Sequence, residues 1–230
     1  NLIQSYIPYL QTNFVLGMDN DQGQEPFELT KRFVDLCPAA FPGYSLLTSY
    51  GSAAPLNLEY QKAGRILPFP FPLLNNNLAM NVRPKHYSWV EFYDHLIDVV
   101  AHTFSPQAIY RRFASATQRE TRWLNLIRGV SQEGRGRLRH HRRIRELLAS
   151  DRAFRDYFEG ESTVLPRFYL DLIKRSLGSW YERLPEGALW HDQLAYSKRA
   201  HVESRVEVIP KTDAMTNAPI LWSDAGASAP

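Results

Sequence analysis

Asp19 and Asp21 stand one residue apart inside Met18-Asp19-Asn20-Asp21-Gln22-Gly23, a run of turn-forming residues. Alternate carboxylates can hold calcium. An EF-hand, however, needs a glycine-centred twelve-residue loop and a terminal bidentate glutamate, and neither is present. The pair therefore reads as capping and solvation of a loop. Cys37 is the single cysteine. Beside Pro38, near the end of a predicted helix, it reads as a small hydrophobe and not as a nucleophile, since no histidine or aspartate motif points to it. Seven histidines are scattered through the chain at positions 86, 95, 102, 140, 141, 191 and 201. His95 and His102 share a helix face, but two turns of helix separate them too far to hold one metal without other ligands. Surface or satisfied core roles are expected for all seven. No phosphate-binding G-x-x-x-x-G-K-[ST], no G-x-S-x-G and no H-E-x-x-H occurs.

The strongest charge signal is Arg135-Gly136-Arg137-Leu138-Arg139-His140-His141-Arg142-Arg143-Ile144-Arg145. Such a run attracts phosphates without regard to sequence. Leu138, Ile144, Leu147 and Leu148 give it an apolar stripe, and aromatic residues interleave only weakly. A solvated helix face, or a surface turned to an acidic region, ranks first. Nucleic acid or another polyanion ranks second, and an anionic membrane surface third.

These residues need elements to hold them. The chain has 230 residues, 44% hydrophobic and 22% charged, enough to bury a core. Its longest apolar stretches fall far short of the roughly 20 residues that cross a bilayer. No secretory signal pattern opens the chain, so the cytoplasm is the expected compartment. One cysteine excludes an internal disulfide framework and an all-cysteine metal site. The net charge of +3 conceals a local +9 over Arg111 to Arg155, which holds 13 arginines, no lysine and 4 acidic residues. This asymmetry divides the chain into residues 1–104, mixed α/β; 105–185, basic and helical; and 186–230, irregular.

The first part reads as strand, loop, helix, strand, loop, helix. A largely buried strand is read from Tyr9 to Gly17, ending at the glycine. A helix follows with Pro26 in its first turn and Phe27, Leu29, Phe33, Val34 and Leu36 on its apolar face; Pro38 ends it. Pro42-Gly43 reads as a turn and Tyr44 to Leu47 as a second strand. Leu56 to Lys62 is a short helix closed by Gly64. Two strands joined through a helix are most often parallel, and α/β proteins bind ligands in the loops after such strands. Residues 65–87 form an ordered crossing or lid without a regular element. Ser88 and Glu91 form a capping box at the head of a helix with Phe92, Leu96, Val99 and Val100 inward. Ser105-Pro106 begins the next helix. Residues 163–184 repeat Leu165, Phe168, Tyr169, Leu172, Ile173, Leu177, Trp180 and Tyr181 at helical spacing.

Three stretches in order resemble the C-terminal part of a radical S-adenosylmethionine (radical SAM) barrel, of the group that often carries a cobalamin-binding domain ahead of it. Asn13-Phe14-Val15-Leu16-Gly17-Met18-Asp19 is similar to the fifth strand and its loop. Leu46-Leu47-Thr48-Ser49-Tyr50-Gly51-Ser52-Ala53-Ala54-Pro55-Leu56 is similar to the sixth strand and its loop, with Ser49 and Gly51-Ser52-Ala53 departing from the family's prolines. Tyr60-Gln61-Lys62-Ala63-Gly64-Arg65-Ile66-Leu67 is similar to the segment after that loop. The resemblance implies an α/β fold: the last units of a partial (β/α) TIM-like barrel, followed by a helical extension. It implies SAM and a [4Fe–4S] cluster as cofactors, and cobalamin in full-length members that carry that domain. It also implies an unknown small-molecule substrate, and it makes the N-terminal half of the barrel the partner of this chain. Val15, Gly17, Met18 and Asp19 would lie by the adenosine, and Leu47, Thr48 and Ser49 beside the adenine. The family's C-x3-C-x2-C loop is absent, so this chain alone is expected to be inactive. The alternative is a non-catalytic arginine-rich helical module that binds nucleic acid or another polyanion.

Overall fold

The computed structural model describes residues 6–7, 9–49, 54–75, 78–185, 187–190, 211–212 and 219–220. Tyr50 to Ala53, Asn76, Asn77, His191, His201 and most of the 186–230 tail lie outside them. The chain is mixed α/β and mostly helical. It forms two compact units: Asn1–Leu46 with Pro84–Arg152, and Leu47–Arg83 with Ala153–Pro230.

In the first unit, β1 (Gln11–Leu16) pairs with β2 (Phe41–Leu46) in parallel, Gln11 opposite Phe41 and Leu16 opposite Leu46. Helix α1 (Glu25–Leu36) joins them, with Pro26 in its first turn as expected. The predicted turn at Pro42-Gly43 is instead part of β2, and the ladder explains why proline fits there. The Phe41 amide donates to the Leu10 carbonyl at 2.9 Å, so the next residue turns its missing N–H away from β1. Thr12, Phe14 and Leu16 share one sheet face with Tyr44 and Leu46. On that face Phe14 stacks on Tyr44 and meets the edge of Phe33 from α1.

After the short α2 (Pro55–Lys62) and α3 (Phe71–Asn75) comes α4 (Trp89–Thr103), and then the helices of the basic segment: α5 (Pro106–Ser115), α6 (Arg119–Val130), a π-helical turn (Gln132–Gly136) and α7 (Arg137–Ser150). The Ser88 and Glu91 capping box forms in both directions at the head of α4, and Ser105 caps α5. Phe92, Leu96, Val99 and Val100 are buried as read, and α4 packs along α1 and α7.

Helix α7 buries His141, Ile144, Leu147 and Leu148. Burial pushes the His141 imidazole down to about 3, aided by the nearby His140 and Arg137 charges. The folded state therefore holds it neutral while the unfolded chain protonates near 6.5. Its contribution is complete above pH 6.5 and is lost as pH falls toward 3, at up to about 1.4 kcal/mol per pH unit. The melting temperature is expected to drop on acidification through this window. His141→Phe should flatten that slope, and an unchanged slope in the variant would assign the titration elsewhere.

In the second unit, α8 (Arg152–Glu159) and α9 (Arg167–Leu177) enclose an aromatic core. The Phe69 ring meets Tyr157, Phe158 and Tyr169 edge-on, with centroids at 5.2, 5.7 and 5.3 Å. The predicted 163–184 helix is shorter than its periodicity. Pro166 sits at its head, and Gly178, at φ 55°, ends it before a 3₁₀ turn at Gly178–Arg183 that leaves Trp180 exposed. The 65–87 crossing holds a regular element after all, α3, which Pro72 and the two leucines after it support; Ile66 and Val82 bridge antiparallel beside it.

Candidate functional site

The sheet face turned away from α1 carries Gln11, Asn13 and Val15 on β1 opposite Phe41, Gly43 and Ser45 on β2. This face is polar and open toward the strands' C-terminal ends, where Val15 is 50% exposed. A Cβ at Gly43 would come 2.5 Å from the Asn13 side-chain oxygen, so a larger residue there would turn the exposed Asn13 carboxamide aside. Gln11 donates to Asn13 at 2.9 Å and accepts from Arg128 of α6 at 3.0 Å. Arg128 also grips Glu133 at 2.6 Å, bonds the Tyr9 hydroxyl and lies 4.0 Å over the Phe41 ring. The face thus has a fixed floor at the start of the strands and an open polar upper half.

The loop above β1 is held by one carboxylate. Gly17, at φ 90°, turns the chain, and the Gly17 and Met18 amides both donate to Asp21 Oδ2 at 3.0 Å. The Asp21 amide returns to the Met18 carbonyl at 2.9 Å, and His86 Nε2 meets the Asp19 carbonyl at 3.0 Å. Capping, the role read for the Asp19 and Asp21 pair, is what Asp21 performs. Among the described residues no group of three or more His, Cys, Asp or Glu is placed to hold a metal ion.

The other predicted contacts belong to the second unit. Leu47 and Ser49 are buried and Thr48 is half-buried. The Asn81 side-chain amide clasps the Ser49 backbone, accepting from its N–H at 2.8 Å and donating to its carbonyl at 2.7 Å. The Ser49 hydroxyl is buried and has no partner among the described residues. Of the seven predicted residues, Val15, Gly17, Met18 and Asp19 are brought together around one strand end. Leu47, Thr48 and Ser49 belong to the second unit, on the segment that follows β2 in sequence and is held by Asn81.

Gln11, Asn13 and Ser45 were not singled out from the sequence. The signal was period-two alternation in Gln11-Thr12-Asn13-Phe14-Val15-Leu16, polar on one face and apolar on the other, which marks a half-exposed strand. The histidines mostly serve structure: His95 stacks on Phe27 at 4.7 Å, and His102 meets Asp35 at 3.1 Å, beside the Arg111 and Asp35 ion pair. Cys37, half-buried, closes α1 by donating its amide to the Phe33 carbonyl.

The arginine run divides by helix face. Arg137 donates to the Tyr44 carbonyl of β2 at 3.1 Å, Arg145 pairs with Asp94 at 2.8 Å, and Arg143 pairs with Glu146 at 3.2 Å. Among the described residues no helix is long and apolar enough to cross a membrane.

No family model matches. No curated protein and no solved structure matches the chain either.

Proposed function

We propose that this chain is the C-terminal wall of a radical SAM barrel, with β1 and β2 as the last two strands and the polar sheet face turned to the barrel interior. The observation that carries the reading is the asymmetry of the two sheet edges. Ladder alternation turns the backbones of Pro42, Tyr44 and Leu46 outward on β2. Pro42 has no N–H there, and Arg137 satisfies the Tyr44 carbonyl, so that edge is blunted as a final strand requires. The outward backbone of Gln11, Asn13 and Val15 on β1 has no strand partner among the described residues. Beside it α1 exposes Leu29, Phe33 and Leu36. A preceding β/α unit would add to this edge and cover this face.

The residues fit the cofactors unequally. A [4Fe–4S] cluster needs three thiolates, and the chain has one cysteine, so the cluster belongs to elements outside it. No residue here is assigned to cobalamin. For SAM, Val15 offers an exposed apolar contact with the Asn13 carboxamide two residues away on the same face, and Gly17 lets the backbone approach closely. The Gly17 and Met18 amides, held by Asp21, shape the loop and do not bind the ligand. SAM on a reduced cluster supplies a hydrogen-abstracting carbon radical. The chain's own part is to line and orient.

An open strand edge beside an apolar helix face is a template for self-pairing. The 230-residue chain alone is therefore expected to associate as its concentration rises, as followed by sedimentation velocity. Val15→Lys, a charge on the open edge, is expected to reduce that association. A monomeric chain with a cooperative melt would contradict the reading. So would a stop codon close upstream of the Asn1 codon, where the reading calls for an in-frame C-x3-C-x2-C.

A further inference from the structure

Three arginines of the basic run have no hydrogen bond or ion pair within the described residues: Arg135, Arg139 and Arg142. They line one cavity of about 360 Å³ between α4, the head of α5 and α7. Its remaining walls are apolar or helix-terminal: Ala101 and Phe104 at the end of α4, Leu138 on α7, and Ser105 with Pro106 at the start of α5. Among the described residues no acidic side chain lines it. The local fold explains this convergence. On α7 the residues at 137, 141, 144 and 148 turn inward, which leaves 138, 139 and 142 on the flank facing the cavity.

Arg135 is added to that flank by the π-helical turn. An extra residue per turn is unfavourable in a helix and recurs at functional sites. Here the turn is fixed by glycine packing: a Cβ on Gly134 would come 2.0 Å from the Gly129 carbonyl and 2.9 Å from the Phe104 ring. The same turn commits Glu133 to Arg128 at 2.6 Å. Three cations without internal counter-charge, in a concave space that also receives the positive end of α5, form a site of unbalanced positive potential.

We infer that this cavity binds a dianionic phosphate group of a small molecule, a phosphomonoester or a terminal diphosphate, with the guanidinium groups on the phosphate oxygens and the Phe104 and Leu138 wall against the rest of the ligand. Arginine suits the task because its planar fork matches phosphate oxygens. The three guanidinium groups line one open recess at a single place on the surface, which suits one phosphate group. The inference goes beyond the barrel reading and does not depend on it, because neither strand lines the cavity.

The test is titration of the complete gene product with inorganic pyrophosphate by calorimetry at low salt, beside Arg139→Gln, Arg142→Gln and Arg143→Gln. All three positions are solvent-exposed, and a melting curve for each variant checks the fold. Saturable binding to one site is expected. Loss of one charge-assisted contact should weaken it about tenfold in Arg139→Gln and in Arg142→Gln, while Arg143→Gln, outside the cavity, should stay within about twofold. Equal weakening in all three variants would overturn the inference in favour of diffuse charge. Absence of saturable pyrophosphate binding would overturn it as well, and so would binding of a single-stranded oligonucleotide alone, which would assign the run to nucleic acid.

Discussion

Replacing Arg112 with alanine is expected to cost about 3–5 kcal/mol of folding stability, a large share of what a domain of this size possesses. Arg112 is 1% exposed and has no carboxylate partner among the described residues. Its Nε donates to the Ala40 carbonyl at 3.3 Å and its Nη2 to the Thr103 carbonyl at 3.2 Å, so it joins the entry of β2 to the end of α4. The Phe41 and Phe104 rings each stand 5.7 Å from the guanidinium carbon. Burial lowers its pKa to about 10, with the Tyr44 and Tyr9 hydroxyls opposing that shift. Alanine would leave two buried carbonyls without donors and open a cavity between two aromatic rings. Arg112→Met fills the space and removes the buried cation, so it should recover part of the loss. Urea denaturation of both variants measures the difference. A loss below about 1 kcal/mol in Arg112→Ala would show that the guanidinium does not join these elements.

Asn81→Leu carries the second large effect, about 2–4 kcal/mol, because it strips both backbone groups of Ser49 of their partners at a site closed to water. Leucine keeps the branching and heavy-atom count of asparagine but is bulkier, so at this fully buried site overpacking adds to the loss of the two hydrogen bonds. Asn81→Asp separates the two bonds: it can still accept from the Ser49 N–H, but it sets a carboxylate against the Ser49 carbonyl. Both variants should unfold at lower urea, with Asp at least as damaging as Leu. If Leu is neutral, the Thr48 and Ser49 segment is held by something other than this clasp.

What could be read from the sequence depended on the range of the interaction. The capping box at Ser88, the Ser105 cap, Pro26 at the head of α1 and the close of α2 at Gly64 are encoded within four residues, and each was legible. Pro42-Gly43 was misread because a proline's place in a strand depends on which edge its nitrogen faces, and that is set by a ladder to residues thirty positions earlier. The 163–184 periodicity was real, but Gly178 ended the helix where propensity alone would have continued it. The loop chemistry at Asp21 was visible as a capping role. The Asn81 clasp on Ser49, the seating of Arg112 and the cavity beside α7 all join residues distant in sequence. The charge run marked the right helix and gave no means of separating the arginines that brace the fold from those that do not. Division by charge at residue 104 and division by compactness into two interleaved units describe different properties of the same chain.

The proposed radical SAM barrel, closed by β1 and β2, would carry its cluster on elements outside this chain. Its most direct measurement is the formation of 5′-deoxyadenosine by the complete gene product, reconstituted anaerobically with iron and sulfide and supplied with SAM and a one-electron reductant. Iron uptake and 5′-deoxyadenosine are expected. A complete product that takes up no cluster and leaves SAM intact would contradict the proposal.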